Sequence, residues 1–469
     1  GDYYANYLTY KGTSQQNPFA WQTVQDVVSG NGWDFTYIRR INIMLDHIGD
    51  GNLTQAERNH WKAVGYFFHS YWYMMLVNRF GDVPWINTTL GTNSDQSNGP
   101  RVSRLIVADS ILARLKWAEE NIGDFTAADG KNTINKNCVL AALSRFTLRE
   151  ATWRKYHQLG EYDKYLTECA RTSKLLMDQY PVLYTGTDGQ PAAGYAEMWT
   201  TESLAGIPGV ILYKEYFTST NFYCNSSNIE HTSSHVVEMP QHTVDMYLTK
   251  NGLPIKNAGN TLYAGDKNMY ATFRNRDPRL YHTVIPPYNV SPAAGTAPTW
   301  SYTANPADRE YIDVLKTNSS CSNPGAGMKR LPAQNWSASL VPRIPNFSDG
   351  KASTTKPYVS CRSGYYVWKY YDQWENNFNS TALNTSDKPI FKIEEILLNY
   401  AECLWEQGVF NQGVADVTIN KLRLRAGVSP MMVAAIDANF DPDRDPSVDP
   451  VLWEIRRERM VELMGEGYG

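Results

Sequence analysis

The sequence predicts a mainly α-helical protein, in which a scaffold of helical hairpins is interrupted by a large irregular, partly β insertion. Three observations support this fold class. Apolar residues recur at helical spacing up to residue 181 and again after residue 389. Glycine or proline ends several of these periodic segments. Between residues 182 and 388 the helical spacing mostly fails, and Pro, Gly, Ser, Thr and Asn become frequent.

The segment 57–79 is the most apolar helix candidate. It contains no proline and a single glycine. Apolar side chains cover nearly every side of it, which predicts a helix buried among other helices. Gly81 can end this helix at a positive φ, and Pro84 cannot continue it.

Further segments also have helical spacing, and their boundaries carry the expected signals. Ser103 can cap the helix that follows it, Gly160 separates two helices of a hairpin, and Pro181 stops the second of these helices. This hairpin is tetratricopeptide-like, and such units need neighbouring hairpins to cover their apolar faces. The additional predicted helices are 20–48, 103–122, 136–158, 162–180, 390–407, 411–426 and 450–464.

The irregular middle splits the helical scaffold without a clear linker on either side. We therefore interpret residues 1–469 as one domain. It would consist of an N-terminal helical part (1–181), an inserted irregular region (182–388) and a C-terminal helical part (389–469).

Composition excludes several classes of protein. A hydrophobic content of 42% and a mean hydropathy of −0.47 are typical of a globular protein in water. The formal net charge of −4, with no basic run, argues against nucleic-acid binding. No apolar segment has the length of a membrane span. The N-terminus lacks a charged segment, an apolar core and a lipidation cysteine, so a mature or trimmed chain is expected.

The six cysteines contain no CxxC pair and no metal-ligand spacing. Three of them lie in predicted helices and are expected to be small buried residues. The other three lie in irregular sequence, where an oxidising compartment would permit a disulfide between two of them. The two groups are Cys138, Cys169 and Cys403, and Cys224, Cys321 and Cys361.

No motif points to catalysis, a cofactor or a metal. Glutamates of the helices 390–407 and 450–464 have i, i+4 spacing, which predicts salt bridges on exposed faces. A glycosidase needs two carboxyl groups about 5–9.5 Å apart across one cleft, and nothing selects such a pair. His231 and His235 are four residues apart, but their polar surroundings favour a solvated loop. HExxH, GxSxG, P-loop and dinucleotide motifs are missing, which favours a binding protein.

Four motifs follow one another along the chain. The helix 57–79 runs into FGDVP, and the segment 240–287 contains PQHTVDMYLTKNGLPI and then MYATFRNRDPRLYHTVIPP. Residues 391–428 begin FKIEEILLNYAE and end INKLRLRAGV, and the chain ends in WEIRRERMVELMGEGYG. Together they resemble the signatures of the SusD/RagB family of Bacteroidota outer-membrane lipoproteins. In that family the last motif continues further, so a truncated C-terminus is expected here.

The most specific part of the second motif is Arg276-Asp277-Pro278-Arg279. Pro278 fixes a turn, and Asp277 can accept backbone N–H groups. The two arginines can brace neighbouring carbonyls or carboxylates. A structural role is therefore predicted in preference to ligand binding.

The resemblance implies a function. Members of this family capture oligosaccharides outside the cell and act as a hinged lid over a SusC-like TonB-dependent transporter. A lipid on an N-terminal cysteine, absent from this chain, would hold the protein on the outer membrane at the cell surface. Two alternatives stay open, which are RagB-like capture of oligopeptides and a glycan hydrolase.

Aromatic residues outside the helical segments are the candidate ligand contacts. A flat ring can cover the apolar C–H face of a sugar, while polar side chains bind its hydroxyl groups. Trp300 and Trp336 are the strongest candidates, because small and polar residues surround them. The run YYVWKYY alternates like a strand, so about half of it is expected in the core. The predicted ligand contacts are Trp300, Trp336, Tyr302, Trp199, Tyr195 and Trp368.

Overall fold

Helices dominate the computed structural model, as the spacing of apolar residues predicted. The structure describes residues 5–10, 32–91, 94, 99–125, 127, 130–187, 189–224, 237–267, 269–286, 288–292, 300–302, 310–311, 343–344, 346–347, 360–361, 363, 365, 367–370 and 385–468. Within these residues, no helix has the length and apolar character needed to cross a membrane.

The α-helices are α1 (Thr36–His47), α2 (Gln55–Phe80), α3 (Arg104–Asn121), α4 (Lys136–Tyr156), α5 (Asp163–Gln179), α6 (Ala193–Glu197), α7 (Gln241–Asp245), α8 (Met269–Phe273), α9 (Arg279–Thr283), α10 (Ile393–Glu406), α11 (Gln412–Val417), α12 (Ile419–Ala426) and α13 (Pro450–Glu462). The strands are β1 (Thr9–Tyr10), β2 (Val210–Lys214), β3 (Val237–Glu238), β4 (Tyr288–Pro292), β5 (Trp300–Tyr302), β6 (Arg343–Ile344), β7 (Asn346–Phe347), β8 (Ser360–Cys361) and β9 (Lys388–Lys392).

The chain forms two units. The helical unit comprises Thr23–Pro181 and Phe391–Phe410, and the mixed unit comprises Gly1–Gln22, Val182–Ile390 and Asn411–Gly469. The division into one domain with parts 1–181, 182–388 and 389–469 stays a prediction.

In the helical unit, helices that follow one another in sequence pack together, from α1 on α2 to α4 on α5, and α10 packs on α4 and α5. Buried polar groups join three of them. Ser144 Oγ lies 2.8 Å from Ser173 Oγ, and Asn399 Nδ2 donates to Ser144 Oγ over 3.0 Å. This packing is the hairpin scaffold that the sequence predicted.

The helix boundaries follow the predicted signals. The Ser103 hydroxyl accepts the Leu105 N–H over 3.3 Å at the start of α3. Gly81 has a φ of 69° and donates its N–H to Val77 at the end of α2. Thr54 and Glu57 form a capping box at the start of α2, so both ends of this long helix are satisfied.

One expectation for α2 is wrong, because this helix is not buried on all sides. Trp61, Phe68 and Met75 are 41%, 46% and 42% exposed. They recur every seven residues and so lie along one side of the helix. Between the first two, Gly65 lets α1 approach closely, since a Cβ atom there would lie 2.6 Å from Leu45 Cδ2. Because apolar residues occur on every side of this helix, the sequence did not reveal which of them stay partly exposed.

Two helix boundaries also differ from the prediction. The predicted helix 411–426 is divided into α11 and α12 at Thr418, whose φ of −127° and ψ of −92° are not helical. Helix α1 begins at Thr36, and most of the first half of the predicted helix 20–48 lies outside the described residues.

The mixed unit is organised around the Arg276–Arg279 turn. The Arg276 guanidinium donates to the carbonyls of Val244 and Tyr247, which it braces as predicted. The Asp277 carboxylate accepts the Arg279 N–H over 2.9 Å. Arg279 is fully buried, and its guanidinium pairs with Asp277, Glu458 and Glu462 at 2.7, 2.7 and 2.8 Å.

The prediction that the glutamates of α10 and α13 lie on exposed faces is wrong. These side chains are buried, and each of the α13 glutamates meets an arginine. Arg423 contacts Glu454 and Glu458, while Arg425 contacts Glu462 at 2.6 Å. On α10, Glu395 makes a paired hydrogen bond with Arg145, both bonds being 2.6 Å long. Glu454 also pairs with Arg457 of the same helix at 2.9 Å, as the salt-bridge prediction expected. The other partners named here come from distant parts of the sequence, so spacing along one helix could not identify them.

Short strands complete the mixed unit. β4 lies between β5 and β6 in an antiparallel sheet, β7 pairs with β8 in parallel, and β1 pairs with β3 antiparallel. This agrees with the predicted irregular, partly β insertion.

The cysteine predictions are confirmed where they can be compared. Cys138, Cys169 and Cys403 are buried within helices. Cys321 lies outside the described residues, as do His231 and His235. Any disulfide among Cys224, Cys321 and Cys361 stays a prediction.

Candidate functional site

The structure leaves the two strongest predicted ligand contacts untested. Trp336 lies outside the described residues. Trp300 and Tyr302 belong to β5, where Trp300 is opposite Pro292 of β4, and only their backbone is described. Their ligand roles therefore stay predictions.

The structure places Tyr195, Trp199 and Trp368 in the core, with 2%, 8% and 2% of their surface exposed. Tyr195 and Trp199 surround the buried ammonium group of Lys369, whose Nζ lies 4.4 and 5.3 Å from the two ring centres. Trp368 donates its indole N–H to the Tyr281 carbonyl over 3.0 Å. These rings cover a buried cation and fill the core, so they offer no free face to a ligand.

A different aromatic residue, Trp33, borders an open pocket of about 320 Å³ in the helical unit. Phe80 meets the Trp33 ring edge-on at 5.0 Å between centres, and the Arg101 guanidinium lies 5.2 Å from the ring centre. These contacts fix the ring at the pocket while leaving it partly exposed. The pocket is lined by Trp33, Asp34, Phe35, Thr36, Ile38, Arg39, Ile86, Thr88 and Leu90.

Side chains of α1 hold the opposite wall, which is the segment 86–90. The buried Asn42 amide donates to the carbonyls of Ile86 and Thr88 over 3.2 and 3.0 Å. The Asp46 carboxylate accepts the Thr89 N–H over 2.7 Å, which lowers its pKa. Arg39 donates to the Leu90 carbonyl over 2.6 Å. An irregular segment is thereby attached to a regular helix.

Helix α2 holds the same segment from its other side. The Tyr73 hydroxyl donates to the Pro84 carbonyl over 2.9 Å and accepts the Ile86 N–H over 2.7 Å. His69 Nε2 lies 2.9 Å from the Ile86 carbonyl. The pocket wall is therefore built by two adjacent helices.

The polar groups at this pocket are varied. Hydrogen bonds from Thr36 lower the pKa of Asp34, so this carboxyl is a charged acceptor at neutral pH. Arg39 supplies a guanidinium, and Thr36 and Thr88 supply hydroxyl groups. An aromatic face beside charged and uncharged hydrogen-bonding groups is suited to a ligand with one apolar face and a polar rim.

A larger open pocket of about 560 Å³ lies at the start of α4, but it is less suited to this role. Among the described residues that line it, Tyr180 is the only aromatic one, and its hydroxyl accepts a hydrogen bond of 3.0 Å from Asn137 Nδ2. Among the described residues, no group of three or more His, Cys, Asp or Glu side chains could hold a metal ion.

Sequence reasoning missed Trp33, although a signal was present. The segment NGWDFT places a tryptophan among glycine, asparagine and aspartate immediately before α1. This is the same polar, irregular setting that selected Trp300 and Trp336. The predicted ligand contacts all lie in the inserted region, so Trp33 was not among them.

The chain matches a family model described as "SusD family" over residues 213–468, more than half of its length. It therefore belongs to the SusD family. A second model, described as "Starch-binding associating with outer membrane", matches residues 3–148, a segment that includes the Trp33 pocket. No curated protein matches the chain.

Solved structures agree with this fold. A SusD superfamily protein from Parabacteroides distasonis has a TM-score of 0.60 at 19% identity, covering 99% of this chain and 79% of its own. A SusD-like protein from Bacteroides fragilis has a TM-score of 0.59 at 19% identity, covering 92% and 71%. Surface glycan-binding protein A from Bacteroides uniformis has a TM-score of 0.51 at 16% identity, covering 92% and 69%. At such identities the likeness concerns the fold.

Proposed function

We propose that this protein captures oligosaccharides at the cell surface and acts as a lid for a SusC-like TonB-dependent transporter. The observation that carries the proposal is the Trp33 pocket, which lies within the segment matched by the starch-binding model. Family membership and the glycan-binding neighbour from Bacteroides uniformis support it. A lipid on an N-terminal cysteine would hold the protein on the outer membrane.

The chemistry is binding and release. A sugar ring would lie against the Trp33 indole, while Asp34 accepts hydrogen bonds from its hydroxyl groups and Arg39 donates to its oxygens. Trp300, Tyr302 and Trp336 are proposed as further ligand contacts from the inserted region. Hydrolysis is not proposed, because the buried α13 glutamates are engaged by arginines and, among the described lining residues, Asp34 is the only carboxyl group at the pocket.

Oligopeptides are the second candidate ligands. The opposite charges of Asp34 and Arg39 at one pocket favour them, because these side chains could pair with the termini of a peptide.

We expect Trp33→Ala to weaken glycan binding by about tenfold or more. Losing aromatic stacking costs roughly 1 kcal/mol beyond the buried area, and about 1.4 kcal/mol corresponds to a factor of ten. A glycan and peptide array identifies the ligand, and calorimetric titration then measures affinity for Trp33→Ala, Trp300→Ala and Trp336→Ala. A thermal melt accompanies each variant, since a core tryptophan would cost about 3–5 kcal/mol of stability.

The matched control is Trp153→Ala, which removes a 41% exposed tryptophan from α4. Equal affinities for Trp33→Ala and the control would refute the Trp33 site. Binding of peptides alone would select the second candidate. Chromatography of the mixture after titration shows whether the ligand is still intact. Cleavage of the ligand by the pure protein would support the glycan hydrolase instead.

The transporter is proposed to cover the exposed side of α2. A row of large apolar side chains along a helix is typical of a surface that another protein covers. Trp61, Phe68 and Met75 form such a row in the helical unit. We name these three residues the α2 stripe.

We expect Trp61→Glu combined with Phe68→Glu to abolish association with the transporter, because two carboxylates would be buried without partners. The variant is co-expressed with a SusC-like transporter, and the complex is recovered from detergent-solubilised outer membranes. Leu175→Glu on α5, which changes a residue that is 42% exposed, is the control and should associate normally. Undiminished recovery of the double variant would show that the stripe is not the transporter contact.

A further inference from the structure

The mixed unit carries an exposed cluster of aromatic residues that the pocket does not use. Strand β2 continues into a tight hairpin, residues 214–223, with the sequence KEYFTSTNFY. Phe217 and Phe222 form a cross-strand pair, with backbone hydrogen bonds of 2.9 and 3.0 Å in the two directions. We name this segment the aromatic hairpin.

The aromatic hairpin is fixed at both its base and its tip. The buried Asp387 carboxylate accepts the N–H groups of Leu204 and Tyr216 over 2.9 and 3.4 Å, which attaches the base to the mixed unit. At the tip, Asn221 adopts a φ of 53°, a conformation that asparagine tolerates. The Tyr223 hydroxyl lies 3.3 Å from Asn221 Oδ1.

The rings support one another. Tyr216 stacks on Phe222 with 5.2 Å between ring centres and 20° between planes. The Lys214 ammonium lies 5.2 and 4.9 Å from these two rings. Even so, Phe217 and Phe222 remain 46% and 44% exposed. The hairpin therefore presents rigid apolar faces to solvent, and little conformational entropy would be lost when they bind.

Size and charge indicate what binds there. Two partly exposed rings offer far less surface area than the roughly 800 Å² that each partner buries in a stable protein interface. A sugar ring needs only one aromatic face. The turn between the phenylalanines, Thr218 to Asn221, consists of uncharged hydroxyl and amide side chains. Such groups match the neutral hydroxyl rim of a sugar.

Resting on the carbohydrate capture proposed above, we propose that the aromatic hairpin is a second oligosaccharide contact, in which Phe217 and Phe222 stack on sugar rings. The hydroxyl groups of Thr218 and Thr220 and the Asn221 amide bind the sugar hydroxyls. This contact is separate from the Trp33 pocket, and each can be removed without the other.

Affinity electrophoresis in native gels tests the proposal. The gels contain soluble starch, laminarin, xylan, galactomannan or pectin, and retardation gives a dissociation constant. We expect the double variant Phe217→Ala and Phe222→Ala to bind the retarding polysaccharide about tenfold more weakly than wild type, whereas tyrosine at both positions should bind within about twofold. Leu175→Ala, at 42% exposure in the helical unit, is the control for loss of exposed apolar surface.

The outcomes separate the two proposals. Unchanged retardation of the double alanine variant, with loss for Trp33→Ala, overturns the hairpin contact and leaves the proposed function standing. No retardation of the wild type in any gel overturns both. If the double variant has a lowered melting temperature, the single variant Phe217→Ala is used to test the contact. The Phe217 ring lies outside the stacked Tyr216–Phe222 pair, so its removal leaves that stack in place.

Discussion

Replacing Arg279 by methionine is expected to destabilise the mixed unit by at least about 3–5 kcal/mol. The substitution keeps much of the side-chain volume but removes the positive charge shared by Asp277, Glu458 and Glu462, all at 2.7–2.8 Å. These carboxylates are buried, so water cannot replace the guanidinium. Since domains have only about 5–15 kcal/mol of stability, much of the unit would be unfolded at moderate urea concentrations.

Urea unfolding followed by circular dichroism measures this effect. The control is Arg274→Met, five residues earlier, which removes an exposed pair with Glu310 at 3.0 Å. Exposed pairs contribute about 1 kcal/mol or less. Similar losses in the two variants would mean that the buried cluster contributes no more than a surface pair.

Acid is expected to destabilise the helical unit through His69. Burial, with Arg114 adding repulsion, lowers the pKa of His69 from 6.5 to about 3. In the unfolded chain, His69 therefore binds a proton below pH 6.5. In the folded chain, it binds this proton only below about pH 3. The contribution of neutral His69 to the free energy of unfolding is thus fully present above pH 6.5. Between pH 6.5 and about pH 3 it falls by about 1.4 kcal/mol for each pH unit.

His69→Gln isolates this contribution, because glutamine can still donate to the Ile86 carbonyl but does not titrate. Unfolding free energies are measured from pH 8 to pH 4.5. The value at pH 8, where both side chains are neutral, corrects for any packing change. Between pH 6.5 and 4.5 the wild type should lose about 2 kcal/mol more than the variant. Parallel curves for the two proteins would contradict a neutral buried His69.

Local sequence predicted the helices well because the signals are local. The cap at Ser103 and the stop at Gly81 each depend on a few neighbouring residues. Which side of a helix meets another helix depends on distant elements, so the exposed α2 stripe was missed. The α13 glutamates were misplaced for the same reason, since Arg279 lies 179 residues before Glu458.

The candidate site was harder to predict than the fold. A tryptophan in polar sequence can cover a buried cation, as Trp199 does with Lys369, or border a pocket, as Trp33 does. The local sequence is similar in both cases. Only the three-dimensional neighbours, such as the segment 86–90 held by Asn42, distinguish them.

The buried arginine cluster also joins parts of the chain that are far apart in sequence. Arg279 meets Glu458 and Glu462 across 179 and 183 residues of intervening chain. During synthesis, and during any passage across a membrane as an extended chain, Arg279 has Asp277 beside it but lacks the two glutamates of α13. Contacts of such long sequence separation form slowly. We therefore expect the mixed unit to complete its packing only once α13 is available, and a chain interrupted before α13 should be cleaved readily by proteases.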